Sequence, residues 1–269
     1  MTGRLAIVTV VRDDLPGLLA TRASLRAQRR RDFDWIVVDG ASADGTAEWL
    51  ATHAEEFTWW RSAPDRGLYD AMNIALDRAL DRALEAVTAS HVLFLNAGDT
   101  LAGADAAGRI AEAIARAPHA GLLYGDSLER LFDGRVVAKP ARSHRLAAFG
   151  MFTHHQAMVY RRLDVAEVRF DLRYTLAADY AFTLEVLKRG AAARLDFPVC
   201  VFAPGGRSQQ DAARGRAEQA EIRRDMMGHG ALATATLSGI QWLALIIRRH
   251  IPGLYAKLRF RRPATSCLS

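Results

Sequence analysis

Two apolar runs that each stop at an acidic loop constrain this chain more than any other feature. Leu5 to Val11 (Leu-Ala-Ile-Val-Thr-Val-Val) is continuous, apolar and largely β-branched, and Trp35-Ile36-Val37-Val38 repeats the pattern. A strand with one wet face alternates polar and apolar side chains, so an unbroken run predicts a strand buried on both faces, as in a parallel sheet covered by helices. Between the runs, Leu15 to about Arg30 predicts a helix, with Pro16 acceptable in its first turn. The first run ends at Arg12-Asp13-Asp14 and the second at Asp39-Gly40-Ala41-Ser42-Ala43-Asp44-Gly45-Thr46. Strand, helix, strand with acidic and glycine-rich loops at the strand ends is the βαβ arrangement of a nucleotide-binding half-domain. Asp44 and Thr46 also suit the cap of the next helix, and Arg12 a solvated loop.

Two further motifs lie between residues 64 and 99. Pro64-Asp65-Arg66-Gly67-Leu68-Tyr69-Asp70-Ala71-Met72-Asn73 opens a helix, grouping Asp65, Asp70 and Asn73 at an N-terminus whose backbone N–H groups and dipole favour a phosphate or other anion. Met72, Leu76, Leu80, Ala83 and Val87 fall on one face of that helix and read as core. Leu93-Phe94-Leu95-Asn96-Ala97-Gly98-Asp99 ends a buried strand and puts Asp99 at the open edge of a sheet, where ligands collect. Together the motifs point to a nucleotide-sugar and metal site.

Downstream, Leu122 to Ser127 reads as a strand, and Asp133-Gly134 before Val136-Val137 predicts a hairpin. Phe152 to Arg162 contains His154-His155-Gln156 beside a strand; adjacent positions point to opposite faces, so one histidine is expected to face the cleft, and His155 is the choice. Tyr174 to Phe182 enters a helix that runs to about Arg189 and stops at Gly190. Asp179 sits at its start.

In order and spacing, these motifs resemble the family-2 glycosyltransferases with a GT-A fold, and more narrowly those assembling bacterial exopolysaccharides such as colanic acid. The resemblance implies an α/β, Rossmann-like, three-layer α/β/α domain with a mostly parallel mixed sheet over residues 1–208, followed by a helical C-terminal extension over 209–269. It implies a nucleotide-sugar donor, a UDP-sugar, held by Thr9, Val10, Arg12, Asp39, Asp65, Gly67, Asp70, Asn73, Asn96, Ala97 and Asp99, with Asp39 on the base. Asp99 would hold Mg or Mn as the cofactor. The usual Asp-x-Asp wording is thinned to Asn96-Ala97-Gly98-Asp99, so the diphosphate would have to add ligands. Asp179 takes the place of the second acid of the family's Glu-Asp pair, the catalytic base of inverting transfer, while Ala178 replaces the first. His155 and Arg207 fall to the acceptor or to a lid over Ala203 to Ser208. The acceptor would be a saccharide or polyprenyl-linked molecule. The missing Ala178 carboxylate and the thinned metal motif also fit a nucleotide-sugar-binding or assembly subunit.

Charge separates the body from the tail. After Asp225 no acidic residue occurs, while Arg248, Arg249, Lys257, Arg259, Arg261 and Arg262 equal the whole formal charge of +6. The neutral body and the lack of a recognition helix or stacking platform argue against nucleic acid. Leu237 to Ile247 is a mostly apolar stretch with Trp242 inside it, shorter than the about 20 residues a bilayer needs. With its flanking cations it fits either a helix lying on an anionic membrane surface or a C-terminal helix packed on the domain. Cys200 and Cys267 have no disulfide or metal-ligand spacing. With a strand starting at Leu5, no signal peptide is expected, and the expected location is cytoplasmic, peripheral at the inner face of the plasma membrane.

Overall fold

The computed structural model describes residues 4–81, 89–205 and 211–230, with positions 233, 235–237, 239–241 and 246 beyond them. Arg207, Trp242 and the six tail cations lie outside the described residues, as do Ala83 and Val87. Among the described residues no helix is long and apolar enough to cross a membrane.

The first unbroken run is a strand, β1 (Leu5–Val11), and every residue in it is buried. Its alternate side chains enter two different cores. Ala6, Val8 and Val10 join a cluster on one face of the sheet, and Leu5, Ile7 and Val11 join another on the opposite face. The same division repeats in β2 (Asp34–Asp39) and β4 (His91–Phe94), where Ile36, Val38, Val92 and Phe94 face one core and Trp35, Val37 and Leu93 the other. Period-two geometry turns an all-apolar run into two interfaces, each Val, Leu, Ile or Phe side chain contributing about 1.5–3 kcal/mol on burial. Helices α1 (Leu15–Arg26) and α4 (Ala106–Arg116) fill the second core, and α3 (Leu68–Leu80) and α6 (Ala178–Arg189) the first. The result is three layers, α/β/α.

Strand order is β3-β2-β1-β4-β8-β6-β9-β5, where β3 is Trp59–Ser62, β5 Thr100–Leu101, β6 Leu122–Arg130, β8 Met158–Arg161 and β9 Ala192–Phe202. The sheet is mixed. β3, β2, β1 and β4 run parallel, β8 lies antiparallel between β4 and β6, and β9 returns parallel to β6. A further strand, β7 (Val136–Lys139), pairs antiparallel with β6 as the expected hairpin, and Gly134 takes the positive φ of +83° that its turn requires.

Two elements are shorter than the sequence predicts. α1 stops at Arg26 because Gln28 is captured from outside: its side chain donates to Gly103 O at 2.8 Å and accepts from Ala107 N at 3.0 Å, anchoring the start of α4. The strand expected over Phe152 to Arg162 covers only Met158–Arg161, after a 3-10 turn at His155–Ala157. The described part of the C-terminal extension includes a 16-residue helix, α7 (Ala212–Met227), in which Ile222 is fully buried in the first core beside α6.

Candidate active site

β1 is the point at which the chain changes direction. It builds outward through β2 and β3, then crosses back to lay β4 on the other side, so the loops after β1 and β4 diverge and leave a crevice at the strand ends. A cleft of about 750 Å³ occupies this region. A smaller pocket of about 320 Å³, lined by residues such as Leu25, Arg26 and Trp35, shares no residue with it.

The loops are laced together. Asp13, at a φ of +51°, donates its backbone N–H to Ser42 Oγ at 2.7 Å and accepts from Ala43 N at 2.8 Å. Aspartate is among the few side chains that visit this region readily. Asp44 ties two helix starts, accepting from Leu15 N at 2.8 Å and from Thr46 Oγ1 at 2.6 Å, in keeping with its capping assignment. Gly40 lets the Arg12 and Asp65 side chains close over the backbone, since a Cβ there would meet Asp65 Oδ2 at 2.8 Å. Helix α3 begins with Gly67 at a φ of +117°, and no side chain caps it. Its N-terminal Gly67, Leu68 and Tyr69 line the cleft, an arrangement suited to an anion.

Val10, Arg12, Asp65, Gly67, Asn96, Ala97, Asp99, His155 and Asp179 all line the cleft, so most of the sequence-predicted site is brought together. Thr9, Asp39, Asp70 and Asn73 do not line it. Thr9 is buried under β2, accepting from Trp35 Nε1 at 3.0 Å. Asp39 is fully buried and accepts from Ser62 Oγ at 2.6 Å and from Ser42, so its carboxylate holds the loop. Asp70 pairs with Arg66 at 2.7 Å. Asn73 donates to Phe170 O at 2.9 Å and accepts from Phe170 N at 2.8 Å, bridging α3 to the segment before α6.

Asp99 is buried, and loss of solvent pushes its carboxyl up to about 7 against hydrogen bonds from Ala203 N, at 2.8 Å, and from the Gln156 side chain. Asn96 Oδ1 is buried with no hydrogen-bond partner. An unpartnered amide oxygen and a buried carboxylate are hard oxygen donors of the kind Mg and Mn take. Asp13, Asp14, Asp65, Asp99, Glu129 and Asp179 set six carboxylates in the cleft against Arg12 and Lys139, so a diphosphate would enter repulsive surroundings without added positive charge. Among the described residues no group of three or more His, Cys, Asp or Glu side chains is placed to hold an ion. The residues therefore fit a divalent ion that shares its coordination with the diphosphate.

Asp179 lies in the first turn of α6. Burial raises its carboxyl to about 6, although Tyr180 N donates to Oδ1 at 2.9 Å and Tyr69 Oη donates to the same atom at 3.3 Å. A carboxylate of that basicity can accept a hydroxyl proton near neutral pH.

The histidine expectation needs correction. His154 and His155 both line the cleft, because the segment there is a 3-10 turn and the alternation of a strand does not apply. His155 stacks on Phe94 at 5.0 Å within an aromatic cluster, and burial lowers its pKa to about 3, leaving it neutral. His154 packs at a tilt against Phe202, with ring centroids 4.2 Å apart, and meets Lys139 Nζ at 2.7 Å, and Lys139 pairs with Glu129 at 3.0 Å. Sequence reading missed this trio, although the hairpin turn at Asp133-Gly134 implied that Glu129 and Lys139 would be close. It also missed Tyr69, which lies inside a quoted motif, and Gln156. Ala203, Pro204 and Gly205 line the cleft mouth; Arg207 lies outside the described residues.

Comparison with known proteins gives the family and the fold. The family model described as glycosyl transferase family 2 matches residues 6–162. An uncharacterized glycosyltransferase of Mycobacterium tuberculosis is 31% identical over 183 residues, covering 66% of this chain and 67% of that protein. A PGL/p-HBAD biosynthesis glycosyltransferase of Mycobacterium bovis is 32% identical over 172 residues, covering 62% of this chain and 63% of that protein. Among solved structures, S. aureus TarS 1–349 in complex with UDP-GlcNAc superimposes with a TM-score of 0.63 at 14% identity, over 92% of this chain and 74% of that one. This chain spans 43% of the longer TarS chain, at a TM-score of 0.61. The mannosyltransferase PcManGT from Pyrobaculum calidifontis, in complex with GDP-Man and Mn2+, gives a TM-score of 0.61 at 17% identity over 94% and 73% of the two chains. These structures carry the GT-A fold.

Proposed function

This chain belongs to glycosyl transferase family 2, and we propose that it moves a sugar, with inversion, from a nucleoside-diphosphate donor to a saccharide or lipid-linked acceptor in cell-surface polysaccharide or glycolipid synthesis. The observation that carries the reading is one cleft that unites the uncapped start of α3, the oxygen donors Asn96 and Asp99, and the raised carboxyl of Asp179. The solved neighbours with UDP-GlcNAc and GDP-Man support a nucleotide-sugar donor.

In this reading the loop after β1, with Asp65, receives the nucleoside, and the backbone at Leu68 and Tyr69 receives phosphate oxygens. Asn96 and Asp99 would hold Mg or Mn, which as a Lewis acid neutralises charge on the leaving diphosphate. The acceptor hydroxyl lies against Asp179 and attacks the anomeric carbon from the face opposite the phosphate. A new carbon–oxygen bond forms, the bond to the phosphate oxygen breaks with its electron pair going to the diphosphate, and the hydroxyl proton passes to Asp179. Tyr69 steadies the carboxylate through its hydroxyl.

A panel of nucleotide sugars tested by thermal shift with and without Mn identifies the donor, because a bound ligand stabilises by mass action. Stabilisation by one donor that depends on Mn, with an inverted anomeric signal in the product by NMR, supports the proposal. Donor binding without transfer to any acceptor would favour an assembly subunit.

A further inference from the structure

We propose that Glu218, on α7, is a positioning residue for Asp179, supplying from the C-terminal extension the supporting carboxylate that Ala178 does not provide. This rests on the glycosyltransferase reading.

The helix carrying Asp179 starts without a cap of its own: Ala177 stands at its N-cap and has no side chain to offer. The N–H groups of the segment that leads into it, up to Ala177, are taken by one carboxylate more than forty residues away. Glu218 Oε1 accepts from Thr175 N at 3.0 Å and Thr175 Oγ1 at 2.9 Å, while Oε2 accepts from Leu176 N at 2.8 Å and Ala177 N at 2.9 Å. Glu218 is 8% exposed. Burial works against its charge, yet these N–H groups outweigh it and hold its carboxyl below the usual range, so it is ionised at neutral pH.

A plain helix cap needs only one neutral oxygen, and serine or asparagine does as well as an acid. Here a full charge spans three consecutive N–H groups of a segment whose Thr175 and Leu176 line the cleft, one turn before Asp179. The groups facing Asp179 are Tyr69 from α3, which donates to it, Tyr160 from β8, and Glu218 from α7, whose own partner is Arg214 at 3.3 Å. Glu218 thus fixes the backbone that aims Asp179 and adds a negative potential that keeps it basic. Helix α7 belongs to the reaction centre on this view.

Glu218→Gln keeps an oxygen acceptor and removes the charge. Measured on the full chain, UDP affinity should stay within about twofold, turnover should fall on the order of tenfold, and the acid limb of the turnover profile should move down by roughly half a pH unit. Glu218→Asp should restore the position of the limb. Unchanged turnover and limb, or equal losses of UDP affinity and turnover, would overturn the role. If Glu218→Gln does not fold, Arg214→Ala leaves the cap in place and strips its counter-charge, so the limb should move up; an unmoved limb overturns the proposal. Carbon-13 titration of the Asp179 carboxyl in protein free of nucleotide separates the two readings. A lower midpoint in Glu218→Gln supports the role of Glu218 without any turnover, and an unchanged midpoint overturns it, whereas wild-type protein inactive with every donor overturns only the transferase reading.

Discussion

Asp99 keeps its carboxyl where water scarcely reaches, and a pKa of about 7 makes the folded state prefer its protonated form. An unfolded aspartate titrates near 3.9, so between roughly pH 4 and pH 7 the native chain holds the extra proton and stability falls as pH rises, by at most about 1.4 kcal/mol per unit. Asp99→Asn should therefore flatten the pH dependence of urea unfolding from pH 5 to 8 and raise the melting temperature at pH 8 by roughly several degrees. It should also abolish Mn-dependent UDP binding; a variant with wild-type Mn dependence would remove Asp99 from the metal site. Asp179 has the same sign over a narrower window, from about pH 4 to its value of about 6. Its ionised form is the competent base, so turnover should rise with pH through that value. Asp179→Asn should keep UDP affinity and lose turnover by on the order of a hundredfold or more. The place of both acids in the cleft was legible in the sequence because Asp99 follows a buried strand and Asp179 opens a helix with a clear stop. Asp39 was equally conspicuous, but that Ser42 and Ser62 would engage its carboxylate depends on a register between β2 and β3 that spacing does not reveal.

At the scale of elements, α3 starts without a side-chain cap and is tied to the rest of the domain from its middle. Asn73 satisfies both backbone groups of Phe170, whose ring stacks on Phe182 at 4.2 Å in the cluster behind Asp179. Asn73→Ala should cost about 1–3 kcal/mol by leaving those groups unpaired, read as a lower denaturation midpoint, while UDP affinity by calorimetry stays within twofold. A selective loss of UDP affinity would return Asn73 to the donor site. Strands β1 and β2 and helix α6 were readable because buried runs and a glycine stop are local signals. The ends of α1 and β8 were not: Gln28 is claimed by a loop some 75 residues away, and the 3-10 turn before β8 carries no local breaker. The expectation that only one histidine would face the cleft failed for that reason, since facing rules hold only once the backbone state is known.

For the whole molecule, the charge asymmetry is a property of sequence, with the cations confined to a tail beyond the described residues. We expect full-length protein to sediment with phosphatidylglycerol vesicles at low salt and to release as salt rises, because about 1 kcal/mol per surface cation depends on an unscreened field. Deleting residues 232–269 should abolish sedimentation and leave UDP binding unchanged; a soluble full chain and an unstable truncation would make the tail a packed helix. The layered fold was legible from two buried runs, whereas Glu218 was not, since nothing near residue 218 signals a partner at 175. Ala203 N–H, which fixes Asp99, comes from the far end of β9, more than a hundred residues later. A chain emerging from the ribosome completes β1, β2 and β4 long before that amide is made. Until β9 docks, Asp99 lacks its backbone donor, so the proposed metal site is the last part of the cleft to be completed as the chain is synthesised.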